Sequence, residues 1–228
     1  MYWRCHNREY YLSDVNTVDL YFNTLRKSLV QKKTGEKVQV HAYCAMSNHM
    51  HHSMSYENGS NKLSLLMRYC HGIFGAKYNK MHNRSGKVAE SRPKTTLIEN
   101  DEHEMTAQFY IESNPLKAGT ISLEQLQFHS KSSFGFYAFG IKTKYSDILT
   151  IPAWYLRLGK KPKERQKKYR KLFFEYVKKI KENIISIKKT PNFWGCKEWI
   201  ELQKYQLKEK NQLKFQNNLQ LASLLNSG

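Results

Sequence analysis

His49-Met50-His51 is the stretch of this sequence best equipped for chemistry. Side chains along a β-strand alternate between faces, so His49 and His51 share one face while Met50 takes the other. Strand rise separates the two imidazoles by about 7 Å along the backbone, close enough for both to converge on one divalent ion. Neutral imidazole is a common ligand for transition metals and shares an ion readily with oxygen donors. About sixty residues later, Tyr110 and Asn114 are four apart, which on a helix places them on one face, one turn apart. A tyrosine oxygen is a nucleophile toward phosphorus and leaves a covalent phosphotyrosine behind. An amide one turn away can orient that tyrosine or complete a metal shell. Each signal has an ordinary competitor, because the chain holds nine histidines and fifteen tyrosines that can serve packing alone.

Composition narrows the partners. The 228 residues carry 38 Lys and Arg against 19 Asp and Glu, a formal net charge of +19. Such an excess points to a polyanion, nucleic acid before membrane. An apolar content of 40% is enough for a real core and argues against a disordered chain. No apolar run approaches the roughly 18 to 20 residues that span a bilayer, and no signal-peptide pattern opens the chain. Cys5, Cys44, Cys70 and Cys196 lack C-x-x-C spacing, so neither a zinc knuckle nor a disulfide framework is indicated. A reducing, cytoplasmic setting follows.

The elements that must position these residues alternate in type. A short strand opens the chain at Tyr2. Apolar spacing then predicts a helix over Asp14 to Leu29, with Ser13 or Asp14 as its N-cap. Strands follow over Val38 to Met46 and His49 to Tyr56, then a turn cluster at Glu57-Asn-Gly-Ser60. A helix over Leu63 to His82 precedes a strand over Lys87 to Ile98, which Pro93 marks as an edge or a bulge. A third helix covers Glu102 to Ser113 and is stopped by Asn114-Pro115. This order predicts an α+β domain whose mainly antiparallel sheet carries helices on one face. Phe128 to Phe139, rich in serine and aromatics, reads as a surface-hugging connection. Arg157 to Lys181 holds twelve Lys and Arg and two Glu, with Phe173, Tyr176 and Val177 at helical spacing, and reads as a basic amphipathic helix. Another helical segment resumes at Cys196. The division is a domain over 1–125 and a basic, largely helical extension over 126–228.

Two stretches together resemble a known family. The run Met46-Ser-Asn-His-Met-His51, followed by Tyr110-Ile-Glu-Ser-Asn-Pro-Leu-Lys-Ala-Gly119, is similar to the IS200-like single-tyrosine transposases, and to their REP-associated branch in particular. Gly86 to Lys94 is similar to that family's glycine-to-Arg-x-Lys strand, Trp3 to Asn7 to its first strand, and Ser132-Ser133-Phe134 to a stretch after its catalytic helix. The likeness covers roughly residues 1 to 140. Val88-Ala89 and Ser47 depart from the family pattern without removing a group that the chemistry needs. The resemblance implies a ferredoxin- or RRM-like HUH nuclease domain with His49 and His51 as metal ligands, Mg²⁺ or Mn²⁺ as the metal, Tyr110 as nucleophile and Asn114 as its polar companion. It implies nicking and rejoining of hairpin-containing single-stranded DNA by a monomer or homodimer, in a bacterial cell and near the nucleoid.

Charge and placement make Arg84, Lys87, Arg92, Lys94 and Lys117 candidate DNA contacts, with Tyr2, Trp3 and Phe134 as candidates for stacking on unpaired bases. His52 faces away from the pair in a regular strand and reads as structural. Glu112 falls on the wrong side of its helix to join Tyr110. Two alternatives stay open: a basic DNA-binding protein descended from such an enzyme that no longer cuts, and a replication-initiator or relaxase nuclease.

Overall fold

The computed structural model of the protein describes residues 1–33, 37–56, 61–182 and 191–225, so the turn cluster at 57–60 lies outside the described residues. The chain opens with β1 (Tyr2–Arg4). Asp14 then starts α1 (Val15–Leu29), its carboxylate accepting from the backbone N–H groups of Asn16 and Thr17 at 3.2 and 3.0 Å. Those donors have no partner inside the helix, which is why a short acidic side chain belongs there. β2 (Gln39–Ala45) and β3 (His49–Ser55) follow as an antiparallel pair, and α2 (Lys62–Met81) comes next.

β3 is the central strand of a small antiparallel sheet ordered β1-β3-β2. It matches Tyr2 with His51 and Arg4 with His49 on one side, and Cys44 with His51 on the other. The register slips between Val40 and Ala42, leaving His41 as an extra residue. A bulge of this kind resets the alternation of side chains. Val40 and Tyr43 therefore enter the same core although one number is even and the other odd. The His41 carbonyl accepts from the Tyr137 hydroxyl at 2.6 Å, and its ring nitrogens reach Thr150 O and Ser55 Oγ, both at 2.8 Å.

On one face of the sheet, Val18, Tyr21, Phe22 and Leu25 of α1 and Leu66, Cys70 and Phe74 of α2 pack on Trp3, Tyr43 and Met50. Each such side chain, fully buried, contributes about 1.5–3 kcal/mol. The opposite face is covered by α3 (Asp101–Glu112), whose Ile111 and half-buried Tyr110 pack on Ala42, Cys44 and Met46. Helices thus lie on both faces, which corrects the one-faced arrangement expected. Helical periodicity says which side of a helix is buried, but not which side of a sheet it covers.

Three further expectations change. Lys87 to Ile98 is a broken edge rather than a strand. His6 N donates to Val88 O, Glu90 N to Arg4 O, and Tyr2 and Lys94 exchange both backbone bonds at 2.8 Å. Only β4 (Leu97–Ile98) forms a ladder, and it is parallel to β5 (Phe193–Trp194). Pro93 has no N–H to give, which fits the interruption. Asn114-Pro115 does not end the helical run either. Ser113 stays in the right-handed helical region, and α4 (Asn114–Lys117) follows with Pro115 in its first turn, where a missing N–H is harmless.

Phe128 to Phe139 is not a surface connection. After α5 (Leu123–Leu126), α6 (Phe134–Phe139) inserts Phe134 and Tyr137 into a second core. Phe109 of α3, Trp154 and Tyr155 of α7 (Ala153–Leu156), and Tyr169 and Phe173 of α8 (Pro162–Lys181) complete it. Residues on both sides of position 125 build this core. Trp3 and Phe134 are only 2% and 1% exposed, so neither is free to stack on a base. α8 is the basic amphipathic helix expected, with Tyr169, Phe173, Tyr176 and Val177 buried and Lys167, Lys171 and Lys178 exposed. α9 (Lys197–Leu225) is the final helix. The four cysteines are free, and no described helix is long and apolar enough to cross a membrane.

Candidate catalytic site on the central strand

Alternation along β3 puts His49 and His51 on the face that α3 covers, and the antiparallel match with β1 brings Tyr2 and Arg4 beside them. The two imidazoles are 5.1 Å apart between centroids, and Tyr2 lies 5.4 Å from His49 and 4.9 Å from His51. Tyr110 comes down from α3 to meet His51 edge-on at 5.8 Å. Asn100 caps the start of α3, accepting from the N–H groups of Glu102 and His103. Asn114 fastens the far end, its amide donating to Tyr110 O at 2.8 Å and Ile111 O at 3.1 Å. Its amide nitrogen is therefore spent on helix carbonyls rather than on the tyrosine hydroxyl.

The donor set fits a divalent metal. His49 Nδ1 lies 2.6 Å from Asn48 Oδ1. An amide oxygen can only accept, so Nδ1 carries the proton and the Nε2 lone pair is left for a ligand. Burial lowers the His49 pKa to about 4, with the Arg4 charge adding to the effect. Burial likewise pushes His51 well below its ordinary value, helped by His49 and other positive neighbours. Both rings are thus neutral near pH 7, the form that binds metal. Among the described residues no third His, Cys, Asp or Glu gathers with them, which leaves the other coordination positions to water or phosphate oxygens.

No family model and no curated protein matches this chain. Among solved structures, a REP-associated tyrosine transposase bound to a REP hairpin is similar at a TM-score of 0.47. Identity is 20%, over 62% of this chain and 79% of that one.

The basic candidates occupy different places. Lys117 belongs to the site, its ammonium 3.6 Å from the centroid of the Tyr110 ring. Lys94 sits on the edge segment paired with Tyr2, and its side chain is exposed, as are those of Lys87 and Arg92. Arg84 is engaged in packing: its guanidinium lies over the rings of Tyr11 and Tyr78 and donates to Lys87 O.

Sequence reasoning missed one neighbour of the nucleophile candidate. Trp194, on β5, stands 5.8 Å from Tyr110. It is held there by Leu97 N donating to Asn192 O, Glu99 N to Trp194 O, and Cys196 N to the Glu99 carboxylate. With Tyr2, His51 and Ile98 it lines a cavity of about 50 Å³. Two residues of strand pairing across almost a hundred positions of sequence leave no local pattern to find. Arg4 was legible as part of a first strand, but its role beside His49 needed the register.

Proposed function

We propose that the protein is a metal-dependent nuclease and strand-transfer enzyme that cuts hairpin-containing single-stranded DNA with Tyr110. The observation that carries this is the meeting of His49, His51 and Tyr110, which the sequence separates by about sixty residues, on one face of one strand, with a lysine ammonium over the tyrosine. A pair of core histidines would not need a half-exposed tyrosine and an ammonium beside it.

His49 and His51 would hold the ion, and two imidazole nitrogens suit Mn²⁺ better than Mg²⁺, which prefers an all-oxygen shell. When bound, it supplies Lewis-acid polarisation of the scissile phosphate and charge compensation for the departing 3′-oxygen. Tyr110 does the chemistry. Its hydroxyl gives up a proton to water, the phenolic oxygen forms a bond to phosphorus, and the bond from phosphorus to the 3′-oxygen breaks. That oxygen takes a proton from water, leaving a 5′-phosphotyrosine and a free 3′-hydroxyl. The same hydroxyl, or one from another strand, can attack the phosphotyrosine and release Tyr110. Bond energy is conserved through both steps, so no nucleotide cofactor is required. Asn114 locks the helix end that carries Tyr110. In this reading residues 1–125, an HUH domain of ferredoxin- or RRM-like descent, carry the site. Residues 126–228 extend the DNA contact through the lysines of α8, with Lys87, Arg92 and Lys94 holding phosphates nearer the cut.

The test is a labelled hairpin oligonucleotide incubated with Mn²⁺ or Mg²⁺ and run on a denaturing gel. Wild type should give a covalent protein–DNA adduct. Tyr110→Phe should abolish it, a loss of at least roughly 10³-fold, and His49→Ala should lose it too, with both variants still binding DNA. Intact binding with no adduct from wild type on several hairpins would leave a DNA-binding protein that does not cut.

A further inference from the structure

Tyr110, Asn114 and Lys117 are spaced i, i+4 and i+7, two full helical turns. That spacing returns the side chain nearly to its starting direction, provided the helix continues. It does continue. Ser113 N donates to Phe109 O, Lys117 N donates to Ser113 O, and Asn114 clips the carbonyls of Tyr110 and Ile111 across the join between α3 and α4. Lys117 is thereby carried over the tyrosine, its ammonium 3.6 Å from the ring centroid. The residue as a whole is exposed, yet its ammonium end is crowded enough for burial to lower its pKa to about 8.

We propose, resting on the function above, that Lys117 is a positioning residue for Tyr110 rather than one more DNA-phosphate contact. Its ammonium clamps the ring face and keeps the ring in its edge-on contact with His51. Its charge then offsets the negative charge that builds on the tyrosine oxygen and the attacked phosphate, in cutting and in resealing alike. Its partner sets it apart from the other basic candidates. Lys87, Arg92 and Lys94 are exposed side chains on the edge segment, and Arg84 is packed on Tyr11 and Tyr78. Lys117 has the nucleophile itself as its partner. A cation stacked on an aromatic face also restricts the ring without hydrogen-bonding the hydroxyl, which stays available to phosphorus.

The test separates rate from binding. Adduct formation with Mn²⁺ is followed under single-turnover conditions over a range of hairpin concentrations, for wild type, Lys117→Met and Lys117→Arg. Methionine keeps the length and removes the charge; arginine keeps the charge. Lys117→Met should lower the maximal rate by roughly 10- to 100-fold while the apparent Kd for DNA moves less than about threefold. Lys117→Arg should recover most of that rate. Thermal melting should be unchanged in both. An unchanged maximal rate with weaker, more salt-sensitive binding would overturn the proposal in favour of a phosphate contact. Equal losses in Met and Arg would overturn the charge role. An active wild type beside an equally active Lys117→Met sinks this inference alone; an inactive wild type sinks the function it rests on.

Discussion

His51 and His52 are neighbours in sequence and lie on opposite faces of the same strand. His51 shares its face with His49, Tyr2 and Tyr110. His52 is fully buried on the other face, beside Tyr21, with no hydrogen-bond partner for either ring nitrogen among the described residues. Two residues of α3 repeat the contrast. Tyr110 is half-buried and faces the histidines. Glu112 is fully buried on the far side, accepting from Ser133 Oγ at 2.6 Å, from Tyr169 OH at 2.5 Å and from Gln108 Nε2 at 3.3 Å. The lesson is that residue type says little about role here. One step along a strand, or two along a helix, moves a side chain from the candidate site to the packed interior.

Substitutions can break or sharpen that contrast. On the strand, the larger effect should come from His51→Ala, with adduct formation falling at least roughly 100-fold and the melting temperature nearly unmoved. Isothermal titration with Mn²⁺ should show the binding site lost. A variant that keeps its rate would place the metal pair elsewhere.

Glu112→Gln should act on stability instead. Burial raises the Glu112 carboxyl from an ordinary 4.5 to about 7, against the pull of its three donors. Between those pH values the folded chain holds a proton that the unfolded chain has released. Wild type therefore loses stability as pH rises through that window, and keeps the deficit above it. Glutamine cannot ionise. Urea melts from pH 4.5 to 8 should shift the stability difference in the variant's favour by about 3 kcal/mol. A flat difference would mean that Ser133, Tyr169 and Gln108 hold the group ionised throughout.

The smallest effect belongs to His52→Leu. Removing a buried ring that has no hydrogen-bond partner among the described residues should change stability by no more than about 1 kcal/mol, with adduct formation within about threefold of wild type. A loss beyond about 3 kcal/mol would show that the ring makes a hydrogen bond the protein groups do not supply.

Much of the site was legible before the structure, because it depends on local geometry. His49 and His51 sit two apart on a strand, Tyr110 and Asn114 one turn apart on a helix, and both spacings survive folding. The helices at Val15, Lys62, Pro162 and Lys197 were legible for the same reason. What failed was non-local. Ser133 looked like surface composition, yet its hydroxyl is buried against Glu112 and the backbone of Tyr43. Trp194 reaches Tyr110 through a strand pair with residues nearly a hundred positions earlier. The coverage of the second sheet face by α3 depends on a crossing that no period encodes.

The extra residue at His41 works like a change of reading frame within a single strand. Upstream of it the core face takes Val40; downstream it takes Tyr43 and Ala45, leaving Ala42, Cys44 and Met46 to line the side on which His49 and His51 lie. The two phases of the strand meet at a residue outside the candidate site. Deleting His41 would leave Val40 directly before Ala42, and plain alternation would then keep both Val40 in its core and Cys44 opposite His51. What such a deletion would remove is an anchor, the His41 carbonyl and ring nitrogens that tie the strand to Tyr137, Thr150 and Ser55.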